Sequence, residues 1–137
     1  MTKVVLDTNV VVSAVLKQAG REASLLGLAL AGKFRLIASE AVLDEYERVL
    51  HQPRLRLSES DVTDTLAAIR QVAVIVEPSE RFEVTRDIDD NKFVECAAEA
   101  KAQYIVTGNV RDFPKEWRTI RVVTPREFSA IAVDFLD

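Results

Sequence analysis

Cysteine and histidine are almost absent from this chain: Cys96 and His51 are the only ones in 137 residues. A single cysteine excludes any disulfide within the chain and fits a reducing compartment. The same scarcity excludes a zinc site of the usual Cys/His type, and leaves a Ser-His-Asp arrangement only if His51 serves it. Glycine and proline are also few, four of each and scattered, so no Gly/Ser linker, repeat or low-complexity tract appears. No apolar run approaches the roughly 18 residues that a membrane span needs. The N-terminus has neither the basic start nor the cleavage site of a secretory signal, so a cytoplasmic location and no membrane partner are expected. Positive charge is outnumbered, 18 Lys and Arg against 22 Asp and Glu, for a net charge of −4. Composition alone therefore offers a polyanion no basic surface.

What is present is a soluble, globular composition, 48% hydrophobic and 29% charged, sized for one domain over residues 1–137. Chemistry here falls to carboxylates, amides and hydroxyls. Lys3 to Asp7 reads as a strand buried on both faces, because a short valine-rich run suits a covered sheet. A helix follows from near Asn9 to before Gly20, and a second from Arg21 to Ala31, stopped by Gly32. Phe34 to Ala38 is the next strand, and Ser39 caps a helix to about Leu50. Ser60 is expected to cap a helix to about Gln71, before a strand over Val72 to Val76. Asp89 or Asp90 opens a helix to Lys101, then come a strand over Tyr104 to Thr107 and a short turn over Asn109 to Phe113. The last strand is Thr119 to Val123, and Thr124-Pro125-Arg126-Glu127 has the cap, first-position proline and third-position glutamate of a helix start. Strands alternating with helices imply a three-layer α/β sandwich around a mostly parallel sheet.

Several acidic residues fall where a soluble protein has no ordinary use for them. Asp7 lies between Val4-Val5-Leu6 and Val10-Val11-Val12, and burying a lone carboxylate is costly unless it is paired, hydrogen-bonded or metal-bound. A helix cap is the simpler role for it. Asp90 lies on the same helical face as Phe93, Val94 and Ala97, one turn upstream, where a solvated charge does not belong; capping is again the simpler alternative. In the helix after Ser39, the buried stripe is Val42, Leu43, Tyr46, Val49 and Leu50. Glu45 and Glu47 flank it on either side, and periodicity does not choose between them. Asn109 and Asp112 follow the strand that ends at Thr107, and sites in parallel sheets form beyond the carboxyl ends of strands.

Carboxylates from separate segments aimed at one sheet edge repel and raise each other's pKa values, whereas a divalent cation holds them ionised. Hard oxygen donors without Cys or His select Mg²⁺ or Mn²⁺. Such a cation can activate a water against a phosphodiester and bridge acidic protein to phosphate, which answers part of the objection from the net charge. Arg111, Lys115, Arg118 and Arg121 are placed near the proposed edge as contacts to a nucleic-acid backbone, with a solvated surface as the alternative for each.

Four stretches, in this order, carry a resemblance: "LDTNVVVSAV", "SEAVLDEYERVL", "DIDDNKFVECA" and "YIVTGNVRDF". Together they make the chain resemble the PIN-domain nucleases, specifically the VapC-like toxins of toxin–antitoxin pairs, over nearly its whole length. The resemblance implies a PIN-like fold and a Mg²⁺- or Mn²⁺-dependent endoribonuclease. It implies that Asp7 of the opening D-T-N is a metal ligand, that the S-x-x-x-L-x-E pattern selects Glu45 over Glu47, and that Asp90 is the next ligand. At the fourth position many members have aspartate; here stands Asn109, with Asp112 three residues on, and an amide brings no charge to a cation. Asn9 and Thr107 are then expected to hydrogen-bond the cluster.

The same resemblance implies an RNA substrate, an antitoxin protein as partner, and a homodimer, for which Ile131, Val133 and Phe135 are candidates for interface or for core. A haloacid-dehalogenase-type phosphotransferase also starts with an aspartate after a strand, but its D-x-D has Asn9 at the second position here. A receiver domain is disfavoured because the acidic pair that precedes its phosphorylated aspartate is missing here. The remaining rival is a PIN fold of little activity that binds an antitoxin or RNA.

Overall fold

The computed structural model describes residues 1–135. Six strands form one sheet: β1 (Lys3–Leu6), β2 (Arg35–Ala38), β3 (Val74–Ile75), β4 (Tyr104–Val106), β5 (Glu116–Trp117) and β6 (Ile120–Val123). Their spatial order is β3-β2-β1-β4-β6-β5, and only β5 runs antiparallel to its neighbour. Six helices join them: α1 (Thr8–Leu16), α2 (Arg21–Leu30), α3 (Glu40–Leu50), α4 (Glu59–Val72), α5 (Asn91–Ala100) and α6 (Pro125–Ala132). The result is a three-layer α/β sandwich. Val4, Val5 and Leu6 are all buried, as are Leu36, Ile37 and Ala38, because helices cover both faces of the central strands. Helix α5 crosses β1, β2 and β4, while α1 packs on α2 and α3. The aromatic end of the core joins Phe34, Phe128 and Phe135 at centroid distances of 5.3–6.2 Å.

The topology itself locates a crevice. The chain leaves β1 toward β2 on one side and returns to β4 on the other. The carboxyl ends of β1 and β4, paired as Leu6 with Val106, therefore sit at the switch point of the sheet, where ligands bind in such folds.

Some local expectations change. Helix α4 is capped by Ser58, whose hydroxyl accepts the Asp61 N–H at 3.1 Å, not by Ser60. Ser58 has an acidic residue at the third helical position, which favours it as the cap. The helix then holds Val72, and β3 shrinks to two exposed edge residues. Helix α5 opens directly after Asp90, as expected, although Asp90 makes no side-chain cap bond and it is Asp87 that caps the turn of 3₁₀ helix before it. Helix α1 begins at Thr8. Strand β5 has no sequence pattern of its own; it pairs with β6 because Arg118, at φ 56°, turns the chain back. The α6 capping box forms in full between Thr124 and Glu127. Phe135 and Ile131 pack against the core, whereas Val133 is 61% exposed. Among the described residues no helix is long and apolar enough to cross a membrane.

Candidate active site

Asp7 is the first residue beyond β1 and extends the sheet, its N–H donating to the Val106 carbonyl at 2.9 Å. Its side chain is buried yet served by three donors. The Thr8 N–H reaches Oδ1 at 2.7 Å, and the Thr107 hydroxyl and Asn9 amide reach Oδ2 at 2.7 and 3.0 Å. Thr107 follows β4, so this carboxylate is a cross-link between the ends of the two central strands. Asn9 closes the same corner by accepting the Gly108 N–H at 3.0 Å. Desolvation outweighs these bonds and the nearby Glu45 charge adds to it, so the carboxyl sits above its ordinary pKa.

Glu45 arrives on α3. The Tyr46 hydroxyl donates to the Leu6 carbonyl at 2.5 Å, pinning α3 to the end of β1. The preceding residue is thereby set beside α1, where the Thr8 hydroxyl donates to Glu45 Oε2. Its other oxygen, Oε1, receives the Lys92 ammonium at 2.7 Å. Glu47 points to solvent, and its carbonyl instead meets His51 Nδ1 at 2.8 Å. The choice that periodicity left open is thus made by packing: only Glu45 faces the crevice.

Asp90 ends a turn of 3₁₀ helix over Ile88–Asp90 and makes no capping hydrogen bond to α5. The 3₁₀ turn itself is capped by Asp87, whose Oδ1 accepts the Asp89 N–H at 3.0 Å. Next to Asp90, buried Asn91 accepts the Val84 and Thr85 N–H groups at 2.9 and 3.1 Å and donates to the Ile88 carbonyl at 3.2 Å. One amide thereby ties a strandless loop to the helix. Burial, then the charges of Asp7, Asp87, Glu45 and Asp112, push the Asp90 carboxyl up to about 7. Carboxylates from four segments are within electrostatic reach of one another at this crevice.

The fourth position divides. Asp112, half-buried in a turn over Val110–Asp112, contributes to the charge felt at Asp90, and its carbonyl accepts the Arg86 N–H at 2.8 Å. Asn109 is exposed and donates its N–H to the Thr107 hydroxyl at 2.9 Å; its side chain borders a small hollow with Asn9, Ser13 and Glu22. Arg111 and Lys115 are exposed beside this turn. Arg118 and Arg121 are elsewhere. Arg118 pairs with Glu80 at 3.2 Å and stacks on Phe82, while Arg121 pairs with Tyr104 at the amino end of β6, away from the crevice.

Three residues at the site escape sequence reasoning. Thr8 reads as a helix-start residue, Lys92 as a solvated charge, and Asn91 as a neutral neighbour of two aspartates. No sequence pattern marks Lys92, whose part depends on α3 packing against α5.

The donor set suits a hard divalent cation: carboxyl oxygens, amides and hydroxyls, with no imidazole or thiolate nearby. Cys96 is buried and its thiol is pushed up to about 12, so it offers no thiolate. The fit is electrostatic rather than a closed cage, for among the described residues no three acidic, histidine or cysteine side chains already converge to hold a metal. Asp90, half-buried without a donor of its own, is the group that a cation would satisfy.

Comparison with known proteins places the family and the fold. A family model described as the PIN domain matches residues 3–111. The chain is 36% identical over 138 residues to the uncharacterized protein MJ1680 of Methanocaldococcus jannaschii, covering 92% of this chain and 88% of that one. Its fold is similar to the crystal structure of VapBC2 from Rickettsia felis bound to a DNA fragment from their promoter, with a TM-score of 0.61 at 16% identity, over 90% of this chain and 98% of that one. The chain belongs to the PIN-domain family.

Proposed function

We propose that this protein is a Mg²⁺- or Mn²⁺-dependent endoribonuclease and the toxin of a toxin–antitoxin pair. The observation that carries the reading is Asp90: a carboxyl with no hydrogen-bond donor among the described residues, pushed up to about 7 by burial and by Asp7, Asp87, Glu45 and Asp112. Repulsion of that kind persists in a fold only where something else compensates it, and functional sites are where such groups collect. Asp7, Glu45, Asp90 and Asp112 are the residues that would hold the cation, with Asn109 at the margin as an uncharged oxygen. A bound Mg²⁺ or Mn²⁺ supplies a water of lowered pKa as nucleophile and positive charge for the leaving oxygen of a phosphodiester.

The chain's own residues do the positioning. Thr107 and Asn9 fix the orientation of the Asp7 carboxylate, so that it meets a ligand without reorganising. Thr8 does the same for Glu45. Arg111 and Lys115, exposed beside Asp112, contact the RNA backbone. The partner is an antitoxin protein, a reading supported by the likeness of fold to a VapBC complex and by the family; a homodimer is proposed with it.

A second reading, a binding module of little activity, is favoured by Asn109 in place of a carboxylate. RNA cleavage separates the two. Wild type should cleave with Mg²⁺ or Mn²⁺ and stop in excess chelator. Asp7→Asn and Glu45→Gln should each lose on the order of a hundredfold or more, the scale of one preorganised electrostatic group, while Glu47→Gln stays near wild type. Cleavage that survives chelation yet disappears in Asp7→Asn would remove the metal. No cleavage by a folded wild type with either metal would leave the binding module.

A further inference from the structure

Glu45 already has a cation. The Lys92 ammonium lies 2.7 Å from its Oε1, and the two side chains are only 21% and 11% exposed, so the pair is largely withdrawn from water. Arg48 adds a distant contact at 3.7 Å from the exposed face of α3. With Thr8 on Oε2 and Lys92 on Oε1, both oxygens of Glu45 are engaged. A carboxylate so engaged cannot offer its full charge to a second cation without giving up the first. Lys92 has somewhere to go. It lines an open groove of about 660 Å³ together with Arg81, Glu40, Glu77 and Glu95; Glu40 is held by Arg70 and Glu95 by Arg81 and the Phe82 N–H, while Glu95 is one turn along the same face of α5.

We propose that Lys92 is a positioning residue that holds Glu45 in the crevice in place of a divalent cation and yields it, swinging into the adjoining groove, when that cation binds. This rests on the metal-dependent reading above. An ammonium on Glu45 keeps that carboxylate ordered and partly neutralised beside Asp7 and Asp90, where an unpaired charge would be strongly disfavoured. It also makes the two cations competitors for one oxygen. Linkage then requires that whatever the ammonium gains at Glu45 be subtracted from metal affinity.

Calorimetric titration with Mn²⁺ tests the competition. Lys92→Met should bind Mn²⁺ more tightly than wild type, by on the order of tenfold, a common size for such coupling. Its metal-free melting temperature should fall and its gain on adding Mn²⁺ should grow. Lys92→Arg, which keeps the charge, should restore wild-type values. Unchanged affinity with equal destabilisation in both states would make Lys92 merely structural and overturn the inference, and weakened Mn²⁺ binding would overturn it by making Lys92 part of the metal site. Mn²⁺ binding by wild type that is lost in Asp7→Asn keeps the metal-dependent reading whichever way Lys92 falls; no binding by any variant overturns both. Should Lys92→Met not fold, wild type carries the test through amine-reactive labelling read by mass spectrometry. Mn²⁺ should speed modification of Lys92 several-fold relative to exposed Lys101, and an unchanged ratio would overturn the displacement.

Discussion

Asp7 and Asp90 face the same crevice from opposite corners, and they are built on opposite plans. Asp7 is buried at the end of a central strand and receives three hydrogen bonds, two of them from residues of its own corner and one from the end of β4. Asp90 sits at the mouth of a loop, half-buried, receives no donor among the described residues, and is pushed up to about 7 by burial first and by its acidic neighbours second. Asp7 is thus an element of the fold that also bears charge, whereas Asp90 is charge that the fold leaves unsatisfied. A binding site needs both kinds: a group already oriented and a group that gains from the ligand.

The sharpest way to break this contrast is truncation. Asp7→Ala leaves the Thr8 N–H, the Thr107 hydroxyl and the Asn9 amide without their acceptor, and relief of a desolvated charge offsets only part of that. The expected loss is about 3 kcal/mol in urea unfolding with chelator present. Asp90→Ala removes no bond and relieves repulsion, so under the same conditions its stability should be equal to wild type or higher. Equal losses in the two variants would place Asp90 in the structural network after all.

A smaller effect is expected at the support of the Asp90 corner. Asn91 holds the N–H groups of Val84 and Thr85, a task that the sheet performs for Asp7. Asn91→Ala should cost about 2 kcal/mol, since two partly buried donors lose a shared acceptor. Hydrogen exchange should rise over residues 82–90 and stay unchanged at Asp7 and Thr107. Exchange that rises equally at both corners would mean that they are one cooperative unit and not two.

How much of this was legible follows the same division. At the Asp7 corner local pattern shows a carboxylate between valine runs, and the family resemblance adds Asn9 and Thr107 as its partners; elsewhere, the capping box at Thr124 forms as its residues specify. The Asp90 corner is less legible. The pattern places a helix start at Asp89 or Asp90 and gives no sign of the 3₁₀ turn before it, which Asp87 caps at the end of the preceding loop. The path of that loop is held by the Asn91 side chain standing in for a sheet neighbour, which no periodicity reports. Glu45 and Glu47 are symmetric about their stripe, and a tertiary bond, Tyr46 to Leu6, decides which faces inward. Lys92 shows the limit most plainly, because a charge two residues past an acidic cluster reads as solvated until α3 is packed against it.

The smallest expected effect is a pH dependence confined to the metal-free protein. Asp90 has an ordinary carboxyl pKa near 3.8 when unfolded and about 7 when folded. The folded state therefore binds its proton more tightly than the unfolded state does. Stability from this group is full below the unfolded value and is lost as the pH rises from about 3.8 toward 7. Asp7 is raised as well and adds in the same direction. Three exposed carboxyls, Glu40, Glu99 and Glu127, are held below 4.5 by hydrogen bonds from Arg70, Ser79 and Thr124. They act with the opposite sign, but only in the more acidic range. In chelator, then, urea midpoints should be higher at pH 5.5 than at pH 8, by a modest amount because Asp90 is partly solvated. Asp90→Asn should flatten most of that slope, and Asp7→Asn less of it. With saturating Mn²⁺ the wild-type slope should reverse, since protons and metal then compete for the same carboxylates and the metal wins as the pH rises. A metal-free midpoint that climbs from pH 5.5 to 8, in a wild type that loses this climb on Asp90→Asn, would show Asp90 stabilised as an anion by the fold alone, and the contrast between the two corners would be gone.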